Sequence, residues 1–282
     1  KVAWDRGAVE VSLQGGFHPK CAGQTYLESL SAVKTELPGI HVHAFSPLEV
    51  FQGAQTLGIS LCDFLSKLID EGLGSLPGTA AEIFDDEVRR DICHDKINTE
   101  EWFQVVGTAH DLGLKTTSTI MFGHIDRPIH WARHLIRLRD QQKQTGGFTE
   151  FVPLPFVHME TPIYLKGRSR KGPTWRESLL MHSVARLALH PHITNIQGSW
   201  VKLGPEGLTA CLNAGANDAG GTLMDESITR SAGAEHGQEM TPQRMERLLN
   251  EMGRPIRQRT TLYGDAETAR RVASFSENTV SA

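Results

Sequence analysis

The chain has 282 residues, 39% hydrophobic and 22% charged, enough for a full hydrophobic core in one large domain. A formal net charge of −4 gives no electrostatic case for nucleic acid. No apolar run approaches the roughly 18 residues of a membrane span, and the first residues lack the apolar centre of a signal peptide, so a cytoplasmic protein is expected.

Residues 1–6 read as the end of a helix, closed by Gly7 before a strand over 8–13 that runs into Gln14-Gly15-Gly16. A helix over 25–37 places Tyr26, Leu27, Leu30 and Val33 at helical spacing and stops at Pro38-Gly39. A strand over 40–45 ends in Ser46-Pro47, and a helix over 60–71 shows Leu61, Phe64, Leu65 and Leu68 on one face. A strand over 78–82 follows, thin in the middle and ending in Glu82. Asn98 or Thr99 ahead of Glu101 opens a helix over 99–112, and a strand over 116–122 leads to Gly123-His124. Further along stand a helix over 129–144, a strand over 148–153 leading to His158, and a Gly/Pro/Arg/Lys-rich loop over 159–174. Next are a helix over 175–189, a strand over 193–200 leading to Lys202, and a helix over 207–214. A short strand over 221–224 ends in Asp225-Glu226, and a helix over 242–252 comes last. Seven strand–helix units with connections suited to a parallel sheet predict an α/β fold, a (β/α)8 barrel over residues 1–264 that lacks its first strand. Residues 265–282 read as a frayed polar tail. A doubly wound open sheet is disfavoured, because no GxGxxG follows an early strand and there is no Walker A run.

In a barrel the carboxyl ends of the strands gather at one face, where ligands bind. Those ends supply Gly15-Gly16, His43 to Ser46, Glu82, His124, His158, Lys202 and Asp225-Glu226. Each has a bland alternative: Glu82 as an N-cap acid, Lys202 as a snorkelling lysine, Gly15-Gly16 as a turn. His41 and His43, two apart on a strand, point the same way; they are either a core pair or the HxH of a zinc hydrolase using His124 as well. The Gly/Asn/Asp-rich run 215–226 is an unusual turn for mere connection. Cys21, Cys62, Cys93 and Cys211 stand in no metal-ligand spacing and read as free thiols.

Taken together, Gln14-Gly15-Gly16-Phe17-His18-Pro19, His41-Val42-His43-Ala44-Phe45-Ser46-Pro47, Pro77-Gly78-Thr79-Ala80-Ala81-Glu82-Ile83 and the 215–226 run resemble the radical S-adenosylmethionine enzymes of deazaflavin and menaquinone biosynthesis. Glu150 to Phe156 and Ser199 to Gly204 agree, and the Thr79-Ala80-Ala81 form favours the tyrosine-using FO synthase branch. The resemblance implies a radical S-adenosylmethionine barrel with a 4Fe-4S cluster. It implies a transferase that joins part of L-tyrosine to 5-amino-6-(D-ribitylamino)uracil on the route to coenzyme F-420, beside a second FO synthase subunit or fused half. It implies Gly15, Gly16, Ser46 and Glu82 as contacts for S-adenosylmethionine, His43, His124 and Glu226 as catalytic groups, and Asn217, Asp218 and His158 as substrate contacts. Aminofutalosine synthase and the futalosine cyclase of menaquinone synthesis are the alternatives within the family. The family's cluster motif CxxxCxxC is absent from these 282 residues, so the reading expects the cluster-binding loop, like the first strand, to lie upstream of Lys1.

Overall fold

The structure is a computed structural model that describes residues 1–15, 22–224, 226 and 228–276. Gly16, Asp225 and the 17–21 segment lie outside the described residues. The chain divides into two compact units, residues 1–77 with 241–282 and residues 78–240.

The first unit opens with α1 (Val2–Asp5), β1 (Glu10–Leu13), α2 (Gly23–Glu36), β2 (His41–Ala44), α3 (Pro47–Leu57), α4 (Leu61–Asp70) and β3 (Ser75–Leu76). β1 pairs parallel with β2, Glu10 opposite His41 and Ser12 opposite His43, and His43 pairs in turn with Ser75. Because side chains alternate along a strand, Glu10, Ser12, His41, His43 and Ser75 share one face of this small sheet. Val42 and Ala44, on the other face, are fully buried. Helices α2, α3 and α4 close on one another where side chains are smallest. A Cβ at Gly53 would strike the Phe64 ring, and one at Gly23 would strike the Gly53 carbonyl.

Helix α3 is absent from the sequence expectation, which took Ser46-Pro47 as a strand terminator. It starts with Ser46 as N-cap, Pro47 in the first turn and Glu49 closing a capping box, the arrangement that favours a helix start.

The second unit does not begin with a strand. The expected strand over 78–82 is an irregular segment in which Ala80 (φ 60°) and Glu82 (φ 46°) occupy the left-handed region. It runs beside β4 (Lys115–Phe122) on side-chain bonds: Gly78 N–H donates to Thr117 Oγ1 (2.8 Å) and Thr119 Oγ1 donates to the Gly78 carbonyl (2.7 Å). The unusual backbone is held by Arg89, whose guanidinium is buried and donates to the carbonyls of Ala80, Ala81, Ile83 and Ile97. Arg89 lies on α5 (Asp86–Ile92), which α6 (Thr99–Asp111) follows before β4. After β4 come α7 (Pro128–Thr145), β5 (Phe148–Pro155), α8 (Pro162–Leu165), α9 (Trp175–Leu189), α10 (Trp200–Asn213) and α11 (Ile228–Ser231).

β4 and β5 pair parallel, and single parallel bridges extend the series from Phe151 to Ile196 and from Gln197 to Asp218. The expected strand over 193–200 is reduced to those bridges, because Trp200 already starts a helix. That helix is broken at Gly204 (φ 71°), where Pro205 starts its second part. No strand forms over 221–224; Gly220 and Leu223 are left-handed there. The chain returns to the first unit with α12 (Pro242–Glu251) and α13 (Thr268–Phe275). The expected fraying after residue 264 is therefore replaced by a helix: Arg270 lies 3.9 Å over the Trp4 ring and donates to the Trp4 carbonyl at 2.6 Å.

Candidate active site

In the first unit the end of β1 is fixed by a residue the sequence reading passed over. The Glu49 carboxylate, 1% exposed, accepts from Gly15 N–H (2.8 Å) through Oε1 and from Ser46 N–H and Oγ (both 2.7 Å) through Oε2. One buried carboxylate thus ties Gly15 to Ser46. The signal was available as Ser-Pro-x-Glu, a capping box whose acid has a second oxygen to spare.

On the polar face of the same sheet, the Ser75 hydroxyl stands 2.7 Å from His41 Nε2 and 2.7 Å from His43 Nδ1. Both imidazoles are held below their ordinary pKa, chiefly by burial, with Glu10 opposing. Glu10 is anchored by Thr261 Oγ1 (2.5 Å) and Ser12 Oγ (2.9 Å). The two rings converge on a hydroxyl. No group of three or more histidine, cysteine, aspartate or glutamate side chains among the described residues is arranged to hold a metal, so the zinc-hydrolase alternative gains no support.

In the second unit Glu82 pairs with Lys96 (Oε1 to Nζ, 2.7 Å), a partner that nothing in the sequence pattern announces. Burial works to lower the Lys96 pKa, and the Glu82 carboxylate outweighs it, holding the ammonium above its ordinary value. The Glu82 carbonyl accepts from Met121 N–H at 2.8 Å, which fixes the loop to the end of β4.

Past that end, His124 is 1% exposed and both its ring nitrogens are committed to backbone: Nδ1 accepts from Ile125 N–H (2.8 Å) and Nε2 donates to the Met121 carbonyl (3.1 Å). Burial lowers its pKa, against the pull of Asp126, whose Oδ1 lies 3.3 Å from Nδ1. Asp126 in turn accepts from Gly123 N–H (2.9 Å), His124 N–H (2.7 Å) and the Trp131 indole. The Arg/Lys loop is tied down here as well. Arg170 N–H donates to the His124 carbonyl (3.1 Å), and its guanidinium pairs with Glu177 at 2.9 Å.

Lys202 is held below its ordinary pKa by burial, with the carboxylates of Glu226 and Glu82 opposing that shift. Glu226 Oε1 accepts from Thr229 N–H and Oγ1, both at 2.9 Å, while its buried Oε2 has no hydrogen-bond partner among the described residues. Lys202 and His158 line a cavity of about 250 Å³ with Phe156, Val157, Met159 and His236. The His158 ring sits edge-on to Tyr164, 4.5 Å between centroids. Asn217 and Asp218 play a mainly internal part. Asn217 Oδ1 accepts from Ile196 N–H (2.8 Å) and Arg186 (2.7 Å), and Asp218 Oδ1 accepts from Gly220 N–H (2.7 Å).

Curated relatives extend along almost all of this chain. It is 51% identical over 276 residues to the FO synthase of Streptomyces avermitilis, covering 98% of this chain and 32% of that protein. It is 49% identical over 264 residues to the FO synthase of Mycobacterium tuberculosis, covering 93% and 31%. The chain thus spans about a third of the length of these FO synthases. The 5-amino-6-(D-ribitylamino)uracil–L-tyrosine 4-hydroxyphenyl transferase of Methanopyrus kandleri is 51% identical over 261 residues, which cover 93% of this chain and 71% of that protein. The chain belongs to this transferase family. The family described as "CofH/MqnC C-terminal region" matches residues 145–272.

Solved structures give the family member its fold. Methylornithine synthase (PylB) superposes with a TM-score of 0.59 at 18% identity, covering 89% of this chain and 66% of that one. HydG, a maturase of the [FeFe]-hydrogenase, gives 0.64 at 13%, covering 88% and 54%. The chain therefore shares with these two enzymes an α/β fold built on parallel strands. None of its helices, among the described residues, is long and apolar enough to cross a membrane.

Proposed function

We propose that this chain forms the tyrosine-side barrel of FO synthesis, in which the 4-hydroxybenzyl part of L-tyrosine is joined to 5-amino-6-(D-ribitylamino)uracil. The observation that carries the reading is the 51% identity to the Methanopyrus kandleri transferase over 261 residues. The ordered polar groups at the strand ends support it.

The family implies a 4Fe-4S cluster and S-adenosylmethionine. This chain's described cysteines do not fit the cluster. Cys62 is exposed, Cys93 and Cys211 are buried, and burial pushes the Cys93 thiol up and the Cys211 thiol up to about 12, against the thiolate that iron needs.

Candidate contacts for S-adenosylmethionine are assigned within each unit by itself, Gly15 and Ser46 in the first and Glu82 in the second. Gly15 has its N–H turned to Glu49, and its carbonyl suits an ammonium. Ser46 is fixed by the same carboxylate. Glu82, paired with Lys96 through Oε1, suits vicinal hydroxyls as an acceptor. S-adenosylmethionine, when bound, would supply the radical chemistry, and the protein places and shields the reacting groups.

Around that chemistry we assign His43 and Glu226 to proton handling, since each carries a buried or half-buried titratable group with capacity left over. Glu226 Oε2 in particular can take a proton or a substrate donor. Lys202 and His158 face the 250 Å³ cavity and are assigned to substrate. Asn217 and Asp218 act on substrate through the turn they shape, and His124, with both nitrogens on backbone, acts as a positioning residue. A second FO synthase subunit, or a fused half, completes the route.

The test is S-adenosylmethionine consumption by the gene's full-length product, reconstituted with iron and sulfide. The proposal expects consumption that depends on both L-tyrosine and the ribitylaminouracil. Consumption indifferent to tyrosine would overturn it, and turnover of a futalosine-type nucleoside instead would move the chain to the menaquinone branch.

A further inference from the structure

The polar face of the first unit's sheet holds a three-member chain: His41 Nε2, Ser75 Oγ and His43 Nδ1, with 2.7 Å at each step. Ser75 is 2% exposed and His43 8% exposed, while His41 is half-buried. A buried hydroxyl has one proton to donate, so it cannot donate to both rings. Where Ser75 donates that proton to one imidazole, the other must offer it an N–H, and the tautomers of the two rings are then coupled.

Gly74 keeps the His41 ring in place. A Cβ there would overlap it, 2.7 Å from Nδ1. Glu10, held by Thr261 and Ser12, supplies negative charge beside both rings. The other charged groups that face the pair are Lys34 on α2, near His41, and Arg259 after α12, near His43.

We propose that Ser75 makes His41 and His43 a proton relay, passing protons between the half-buried His41 and the buried His43. The inference rests on the assignment of His43 to proton handling. In the resting state His41 Nε2–H donates to Ser75 Oγ, Ser75 O–H donates to His43 Nδ1, and His43 carries its own proton on Nε2. A proton taken up by His41 at Nδ1 sends its Nε2 proton to Ser75 Oγ, while the Ser75 proton moves to His43 Nδ1. The resulting imidazolium beside Glu10 releases its Nε2 proton to a basic atom of the substrate. One proton enters and one leaves, and no oxidant or reductant is involved. Reversed, the same path removes a proton.

The experiment is ¹⁵N NMR of the histidine rings, followed across pH in the wild-type protein and in Ser75→Ala, together with steady-state kinetics of the full-length product. In wild type, protonating His41 is expected to shift both rings' nitrogen signals with one midpoint. In Ser75→Ala the two rings titrate independently, and kcat falls at least about tenfold with KM unchanged, as for loss of a general acid–base path. His41→Gln provides a second variant at a half-buried position, expected to abolish the pH response of the His43 signals and to move the pH profile of kcat. Ring titrations identical in wild type and Ser75→Ala, or kcat unchanged in both variants, overturn the relay. Full turnover in His43→Gln overturns the assignment of His43 itself, and the NMR separates that failure from loss of the coupling.

Discussion

Replacing Glu49 by alanine removes three hydrogen bonds to one carboxylate that is 1% exposed: two from the backbone N–H groups of Gly15 and Ser46, one from Ser46 Oγ. A bond to a charged group is worth about 1.5–3 kcal/mol, and the Ser46 N-cap bond from the backbone N–H of residue 49 survives the substitution. The three share one acceptor and are not additive, so the expected cost is about 3–5 kcal/mol, a large part of a typical stability of about 5–15 kcal/mol. Glu49→Gln keeps the shape and one acceptor oxygen, and is expected to cost about half as much. Urea unfolding measures the difference. With a slope on the order of 3 kcal/mol/M, the alanine variant should lose about 1 M or more from its midpoint. Amide exchange reports the local effect, and Gly15 N–H should lose protection in the alanine variant while amides of α9 keep theirs. A midpoint within about 0.3 M of wild type, with Gly15 still protected, would refute the idea that Glu49 holds the end of β1.

Two further outcomes follow from the second unit. Gly78→Ala sets a Cβ against the Thr117 carbonyl and 2.8 Å from Ser118 Cα, both backbone, so a loss of about 1–3 kcal/mol is expected. Gly107→Ala on α6, where the nearest atom is Gln141 Nε2 at 3.6 Å, should instead gain about 0.5–1 kcal/mol by helix propensity; equal urea midpoints for the two variants would contradict this. His134 accepts from Phe84 N–H (3.1 Å) and donates to the Thr119 carbonyl (2.9 Å), and burial lowers its pKa to about 3. The folded-state pKa lies below the unfolded one, so this histidine's contribution is present above pH 6.5 and is lost as pH falls toward 3. Its share between pH 6.5 and 5 is about 2 kcal/mol. Urea midpoints at pH 7 and 5 should show that loss, flattened in His134→Gln; a pH-independent wild type would contradict it.

What the sequence disclosed follows from where the physics is local. Helix α9 lies over 175–189 as expected, because Thr174 and Glu177 form a capping box that needs only neighbours. The parallel strands came through for a similar reason, since β4 and β5 are short runs rich in β-branched and aromatic residues set between well-marked helices. The 78–82 segment was misread because its small residues suit a strand. Its left-handed Ala80 and Glu82 depend on carbonyl contacts from Arg89, seven and more residues away and invisible to periodicity. The strand-end rule places His43 at a true strand, β2, whereas Glu82, Lys202 and Glu226 stand on loop or helix, and it could not say what each was bonded to. Lys96 and Ser75 were missed because the meeting of distant segments, not a motif, makes them matter. For His124 the strand-end position was legible, but its two backbone hydrogen bonds were not, because they depend on how the turn after β4 folds back on the ring.

The guanidinium of Arg89 lets a remote residue dictate the pose of the acid. Four main-chain oxygens converge on one planar cation, a fit that a lysine, with a single point charge, would not reproduce. Because Arg89 is itself buried, the backbone that carries Glu82 is set from inside the unit, out of reach of whatever changes at its surface.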